Sequence, residues 1–160
     1  MIEIFTDGSA KGNPGRGGYG VVMRFGGKEK ELAQGFRMTT NNRMELLAVI
    51  VALETLKTDK YEVNLYSDSK YVIDSIVKGW VFGWQKKNFK GKKNADLWRR
   101  YLKVHSKFKV KYHWVKGHAG HPENERADQL AFNVADGENL LIDEVFEMGR
   151  EAAKNNEDLL

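Results

Sequence analysis

Four acids stand in stretches of this sequence more polar than a turn or helix end requires: Asp7 in FTDGS, Glu45 in TTNNRMELL, Asp68 in YSDS and Asp128 at the close of VKGHAGHPENERAD. That last stretch packs two histidines, three acids and two glycines into residues 115–128. Each of the four acids has a plain structural use. Asp7 before Gly8 suits a turn, Asp68 can cap a following helix, Asn42 and Glu45 have capping-box spacing, and Asp128 can be a helix surface residue. Gathered at one place, the four mean something else. Clustered carboxylates repel, and each would sooner take a proton than sit beside another charge. A hard divalent cation removes that penalty and accepts oxygen ligands. Two such ions about 4 Å apart can clamp the attacking and leaving oxygens of a phosphodiester displacement.

That chemistry needs a surface for a polyanion, and the charge pattern supplies one. The formal net charge is +4, but residues 85–116 hold twelve Lys or Arg against one acid, Asp96, while residues 137–160 hold seven acids and two bases. The first block suits nucleic acid and the second would repel it. In GWVFGWQKKNFKGKK the aromatics Trp80, Phe82, Trp84 and Phe89 are interleaved with Lys86, Lys87, Lys90, Lys92 and Lys93. Aromatics can lie on sugars or bases while lysines meet phosphates; the same aromatics can equally anchor a helix to the core. With no cysteine, disulfides and thiolate metal sites are excluded. No apolar run approaches the ~20 residues of a membrane span, and the start, MIEIFTDGSA, lacks the layout of a secretory signal. The expectation is a cytoplasmic, free-standing monomer with no membrane partner.

The elements that must position the acids follow from periodicity and turn chemistry. Strands are predicted at Ile2–Thr6, at Tyr19–Phe25 and Glu31–Met38 around a Gly26-Gly27 hairpin turn, at Glu62–Ser67 and at Lys109–Val115. KGNPGRGG reads as a loop. Helices are predicted at Asn42–Leu56, where Met44, Leu47, Ala48 and Val51 form an apolar stripe, at Ser69–Val77, at Ala95–His105, and from Pro122 to about Ala135. Three meander strands followed by crossovers imply a mixed sheet with helices on its faces. Asp7 then ends the first strand and Asp68 the fourth, side by side if these strands are neighbours. GRGGYG, residues 15–20, has dinucleotide-fingerprint spacing, but the strand-like VVMRF follows where a helix N-terminus is required. It is read as a tight segment hugging a neighbouring element.

FTDGSAKGNPGRGGYG, TTNNRMEL, YSDS and WVKGHAGHPENERADQLA, in this order and spacing, resemble ribonuclease H of the bacterial type 1 class over residues 1–136. The resemblance implies an α/β, ribonuclease H-like fold: a five-stranded mixed sheet, three strands antiparallel and two parallel, with helices on both faces. It implies an endonuclease that cuts the RNA strand of an RNA–DNA hybrid to 3′-hydroxyl and 5′-phosphate ends. Asp7, Glu45, Asp68 and Asp128 would hold two Mg²⁺ ions, with Mn²⁺ also suited to oxygen ligands. His118 would lie on a loop beside the metals, freed by Gly117 and Gly120, and assist proton transfer or product release, since its ordinary pKa of about 6.5 suits neutrality. His121 would end that loop structurally, and Asn124 with the helix start at Pro122 would meet a phosphate.

By the same resemblance, Asn41 and the backbone around Gly8 and Ser9 would read the 2′-hydroxyl that marks RNA. Asn13, Thr40 and Asn42 would touch sugar or phosphate, Asn42 on the DNA strand. Two departures stand out. Lys70 occupies a position where the family often has glutamine, and lysine donates without accepting, so a phosphate contact is expected there. The basic protrusion, about residues 80–94, keeps Trp80, Trp84, Lys86, Lys87 and Lys90, but its FKGKKNADLW loop is shortened. Residues 137–160 form an acidic extension outside the motifs, read as one amphipathic helix that then frays rather than a separate domain. The competing functions are a DNA strand cutter of the wider metal-nuclease superfamily, which the long motifs disfavour, and a catalytically silent hybrid-binding module, which would be expected to lose an acid.

Overall fold

The computed structural model describes residues 1–117 and 121–158 of the 160. In chain order its elements are β1 (Ile2–Lys11), β2 (Gly15–Phe25), β3 (Lys28–Thr39), α1 (Asn41–Thr55), β4 (Val63–Ser67), α2 (Lys70–Val77), α3 (Trp80–Lys86), α4 (Ala95–His105), β5 (Val110–Trp114), α5 (Pro122–Ala135), β6 (Leu140–Leu141) and α6 (Glu144–Asp158). One mixed sheet has the order β5-β4-β1-β2-β3-β6. β1, β2 and β3 form an antiparallel meander; β4 runs parallel to β1, β5 to β4 and β6 to β3. The sheet therefore has six strands, not the expected five. The sixth is two residues of the acidic extension, Leu140 and Leu141, opposite Gly35 and Phe36 on the open edge of β3. Two residues carry no period, so nothing in their sequence announces a strand.

Alternation along the strands sorts the core onto two faces. Ile4, Val21 and Leu65 join the larger cluster with α1, whereas Phe5 and Val22 pack with Ala127 of α5. α1 is buried almost all round: Arg43 through Ile50, Ala52 and Leu53 are all buried. The one-sided stripe expected for it is too narrow, because α4 packs on the side away from the sheet. No helix among the described residues is long and apolar enough to cross a membrane.

Most of the glycine-rich segment is strand rather than loop, with only residues 12–14 left as a turn. β1 continues to Lys11 and β2 begins at Gly15, so Asp7 sits inside its strand and not at its end. The reason is close packing. A methyl group on Gly20 would lie 2.2 Å from the Ala127 carbonyl oxygen, and one on Gly18 would lie 2.9 Å from that of Ala131. The absent side chains let α5 seat directly on the sheet. Rim ion pairs, among them Arg126–Glu31 at 2.6 Å, hold it there with a smaller contribution.

The extension is tied into the fold by a buried ion cluster. Arg43, 4% exposed, donates from Nε to Asp143 Oδ2 at 2.7 Å and from Nη2 to Asp143 Oδ1 at 2.9 Å. The same guanidinium reaches Asp96 of α4 at 2.6 and 2.9 Å. The buried Thr39 hydroxyl donates to Asp143 Oδ2 at 2.8 Å. Further along, Arg37 of β3 holds Glu147 of α6 through both carboxylate oxygens.

Candidate active site

β1 and β4 are parallel neighbours paired to Phe5 opposite Tyr66. Two residues beyond that pair come Asp7 and Asp68, which the register carries to the same level. Ser69, not Asp68, caps α2: its hydroxyl accepts from the Val72 N–H at 3.2 Å. The cap of α1 is likewise Thr40, which accepts from the Arg43 N–H at 3.3 Å, so Asn42 and Glu45 make no capping box. Glu45 turns toward β1 instead, and its Oε1 accepts from the Gly8 N–H at 2.8 Å. Gly8 is required for that approach, since a methyl group there would meet the Glu45 backbone nitrogen at 2.3 Å.

Asp7, Glu45 and Asp68 each offer an oxygen within 4.8 Å of the others'. Asp128 reaches the group from the first turns of α5, close enough to Asp7 to share a hydrogen bond. Burial pushes the Asp7 carboxyl up from 3.8 to about 7; a hydrogen bond from Glu45 opposes the rise, while Asp128 and the charge of Asp68 add to it. Burial, then Asp7, then Asp68 push Glu45 well above its ordinary value. The second oxygen of Glu45, Oε2, is buried with no hydrogen-bond partner. Hard oxygen donors that repel one another, one of them buried without a hydrogen-bond partner, are a donor set that fits a divalent cation.

An open cleft of about 360 Å³ leads to the four acids and is lined also by Gly8, Asn41, Asn42 and Lys70. Asn41 Oδ1 accepts from the Ala10 N–H, and the Asn41 N–H donates to Asn13 Oδ1 at 3.0 Å, which fixes the start of α1 against β1. The Ser9 hydroxyl is buried without a partner. Lys70 lies 4.7 Å from the Trp114 ring, and Trp114 Nε1 donates to the Asp68 carbonyl at 3.0 Å. Nothing local in the sequence marks this brace, since its partners are 46 positions apart.

A much smaller pocket that shares Asp7, Asp68 and Asp128 with the cleft is lined also by Gly117, His121 and Asn124. Asn124 Oδ1 is buried there with no partner. A methyl group on Gly117 would meet Asp68 Oδ2 at 3.0 Å, so the segment leading to residue 118 lies against the carboxylates. His118 itself falls outside the described residues. His121 precedes α5 without a side-chain capping bond and faces the pocket.

The protrusion divides its aromatics. Phe89 is buried, and Trp84 packs edge-on against the fully buried Trp98 at 6.0 Å, so both anchor the segment. Trp80 stays 47% exposed. Lys86, Lys87 and Lys90 are all exposed beside it.

Comparison with known proteins agrees with this geometry. The RNase H family matches residues 1–136. The ribonuclease H of Desulforamulus reducens is 57% identical over 147 residues, covering 89% of this chain and 92% of its own. That of Rippkaea orientalis is 51% identical over 151 residues, covering 91% and 92%. Among solved structures, LC9-RNase H1, a type 1 RNase H with the type 2 active-site motif, aligns at a TM-score of 0.74 with 32% identity over 84% of this chain and 71% of that one. LC11-RNase H1, solved in complex with an RNA/DNA hybrid, aligns at 0.66 with 26% identity over 85% and 97%. The sheet, its helical layers and identity of more than half to curated relatives over most of the chain thus lead to one assignment: this chain belongs to the RNase H family, in its type 1 class.

Proposed function

We propose that this protein is an endonuclease that hydrolyses the RNA strand of RNA–DNA hybrids at the four-carboxylate cleft. One observation carries the proposal: three carboxylates from β1, α1 and the end of β4 converge within 4.8 Å around a buried, unpartnered oxygen of Glu45. Asp7, Glu45, Asp68 and Asp128 would hold two Mg²⁺ ions, or Mn²⁺ in their place. When bound, divalent cations supply charge neutralisation at the phosphate and lower the pKa of water.

The chain's own groups do the rest. The Gly8 N–H holds Glu45, and Trp114 braces the backbone at Asp68. Water adds to phosphorus as the bond to the 3′-oxygen breaks, leaving a 3′-hydroxyl and a 5′-phosphate; His118 is assigned the proton transfer or the release of product. Asn41 and the Gly8–Ser9 backbone read the 2′-hydroxyl, the group that marks RNA. Asn13, Thr40, Asn42, Lys70 and Asn124 meet sugar or phosphate, and Trp80, Trp84, Lys86, Lys87 and Lys90 bind the duplex beside the cleft. Residues 1–136 make up the catalytic domain, with residues 80–94 as its basic protrusion and 137–160 as an extension built onto it. The chain acts as a monomer.

The test uses one labelled RNA strand paired with DNA, paired with RNA, and single, each with Mg²⁺ and with chelator. Cleavage of the hybrid alone, abolished by chelator, is the expected result. Asp68→Asn should abolish cleavage while sparing hybrid binding. Binding without cleavage in wild-type protein, even with Mn²⁺, would instead make this a silent hybrid-binding module, and equal cutting of all three substrates would remove the 2′-hydroxyl assignment.

A further inference from the structure

Trp114 closes the edge strand β5, opposite Ser67 in the last pair of the β4–β5 ladder. It is 44% exposed and belongs to neither core cluster, so burial does not explain a tryptophan there. It makes two polar contacts instead. Its Nε1–H donates to the Asp68 carbonyl at 3.0 Å, and the Lys70 ammonium lies 4.7 Å from its ring. One side chain thus reaches the residues on both sides of Ser69, the cap of α2.

Both contacts answer a local need. β4 ends at Ser67, so the Asp68 carbonyl lies past the ladder that orders the strand. Holding that carbonyl fixes the peptide plane after Asp68, and with it the direction in which the carboxylate leaves the chain. The Ser67 hydroxyl accepts from the Ser69 N–H at 3.1 Å and ties the same turn from within. Lys70 is the first residue of α2, where the positive end of the helix dipole disfavours a cation. The electron-rich face of the indole offsets that. A cation over the ring also draws electron density from it and makes its N–H a stronger donor, so the two contacts reinforce each other.

We propose that Trp114 is a positioning residue shared by two parts of the site: its N–H sets Asp68 for a divalent cation, and its ring holds the Lys70 ammonium at the rim of the cleft that Asp68 and Lys70 both line. The proposal rests on that cleft being the site of hybrid cleavage. It brings the edge strand into the chemistry through a side chain that touches neither cation nor substrate. It also gives the lysine at the start of α2 a fixed place beside the acids, which a long, flexible stem does not have by itself.

The experiment titrates Mn²⁺ by calorimetry into metal-free wild type, Trp114→Phe, Trp114→Leu, Lys70→Gln and the double variant Lys70→Gln/Trp114→Leu, and measures KM and kcat for the hybrid on each. Trp114→Phe keeps an aromatic face and loses the N–H. Its Mn²⁺ affinity should fall roughly tenfold, and its kcat should drop at limiting Mn²⁺ and recover at saturating Mn²⁺, with KM unchanged. Trp114→Leu loses the face as well, so KM should also rise, roughly threefold. Lys70→Gln should raise KM by a similar factor in wild type but change it little in the Trp114→Leu background, where the ammonium has already lost its place. The exposed position suits both substitutions, and melting curves check that each variant is folded. Wild-type Mn²⁺ affinity in Trp114→Phe overturns the hold on Asp68, as does a kcat loss that saturating Mn²⁺ does not restore. KM effects that multiply in the double variant overturn the hold on Lys70. Wild-type protein that binds Mn²⁺ but neither binds nor cuts the hybrid overturns the functional assignment beneath the proposal, while the Mn²⁺ titrations still decide the contact to Asp68.

Discussion

Asp143 lies outside the motif-bearing residues, yet it should be among the most sensitive positions for stability. Asp143→Ala removes two hydrogen bonds from a guanidinium whose side chain is 5% exposed, and it leaves the buried Thr39 hydroxyl without its acceptor. Breaking a buried ion pair from one side costs about 3–5 kcal/mol. Asp96 remains on Arg43 at 2.6 Å, so the charge keeps a partner and the lower end applies, about 3 kcal/mol. With a urea m-value of roughly 2 kcal/mol/M, the midpoint should fall by about 1.5 M. Equilibrium urea unfolding, followed by tryptophan fluorescence, measures it. A chain ending at residue 136 loses the same bonds and the β6 pairing, so it should fall at least as far. A midpoint shift under about 0.5 M at constant m in Asp143→Ala would refute the claim that the extension is held through Arg43.

Three further outcomes follow from the geometry. Asp7 and Glu45 have raised folded-state values, so in chelator their contribution to stability is fully present below their ordinary 3.8 and 4.5 and is lost as pH rises; for Asp7 the loss runs through about 7 and is on the order of 4 kcal/mol. Thermal melts from pH 4 to 8 should show Mg²⁺ restoring stability mainly at the alkaline end, and Glu45→Gln should melt above wild type at pH 8 in chelator; a Mg²⁺ effect independent of pH would contradict this. Replacing Lys86, Lys87 and Lys90 together by alanine should raise KM far more than it lowers kcat, with a flatter salt dependence; the reverse split in steady-state kinetics would remove them from substrate binding. Gly20→Ala puts a methyl group 2.2 Å from the Ala127 carbonyl oxygen, so α5 must lift from the sheet and carry the neighbouring Asp128 with it. It should cost about 1–3 kcal/mol and lower turnover, both read on one preparation, and a variant with wild-type melting would show that α5 is not seated there.

Much of the site could be read before any coordinates. The four acids are legible because motif order carries them, and α1, β4 and α5 because they have clear periods or turn residues at their ends, whereas β1 runs on past the turn that Asp7-Gly8 suggests. What was not legible was decided by contacts far apart in sequence. KGNPGRGG reads as loop by local propensity, but Gly15 to Gly18 are strand residues, and the missing side chain of Gly18 serves a helix more than a hundred positions later. Nothing in the sequence singles out Arg43, because its partners Asp96 and Asp143 are 53 and 100 positions away. The acidic tail reads as repelling nucleic acid because composition counts charges without their partners, whereas the fold ties Asp143 to Arg43 and Glu147 to Arg37.

The two-residue strand has a consequence for colloidal behaviour. Sheet edges with unpaired backbone groups recruit other chains, and natural proteins blunt them with charge or cover. β3 does both along its length. Its first residues, Lys28, Glu29, Lys30 and Glu31, are charged and exposed and guard themselves. Its apolar end, Gly35 and Phe36, has no such defence, and there Leu140 and Leu141 lie across it. The small strand thus acts as a seal on the stickiest part of the edge. Proteolysis between α5 and β6 would leave a chain that keeps its four carboxylates but bares an adhesive seam, so that its failure in a crowded solution would begin with self-association rather than with chemistry.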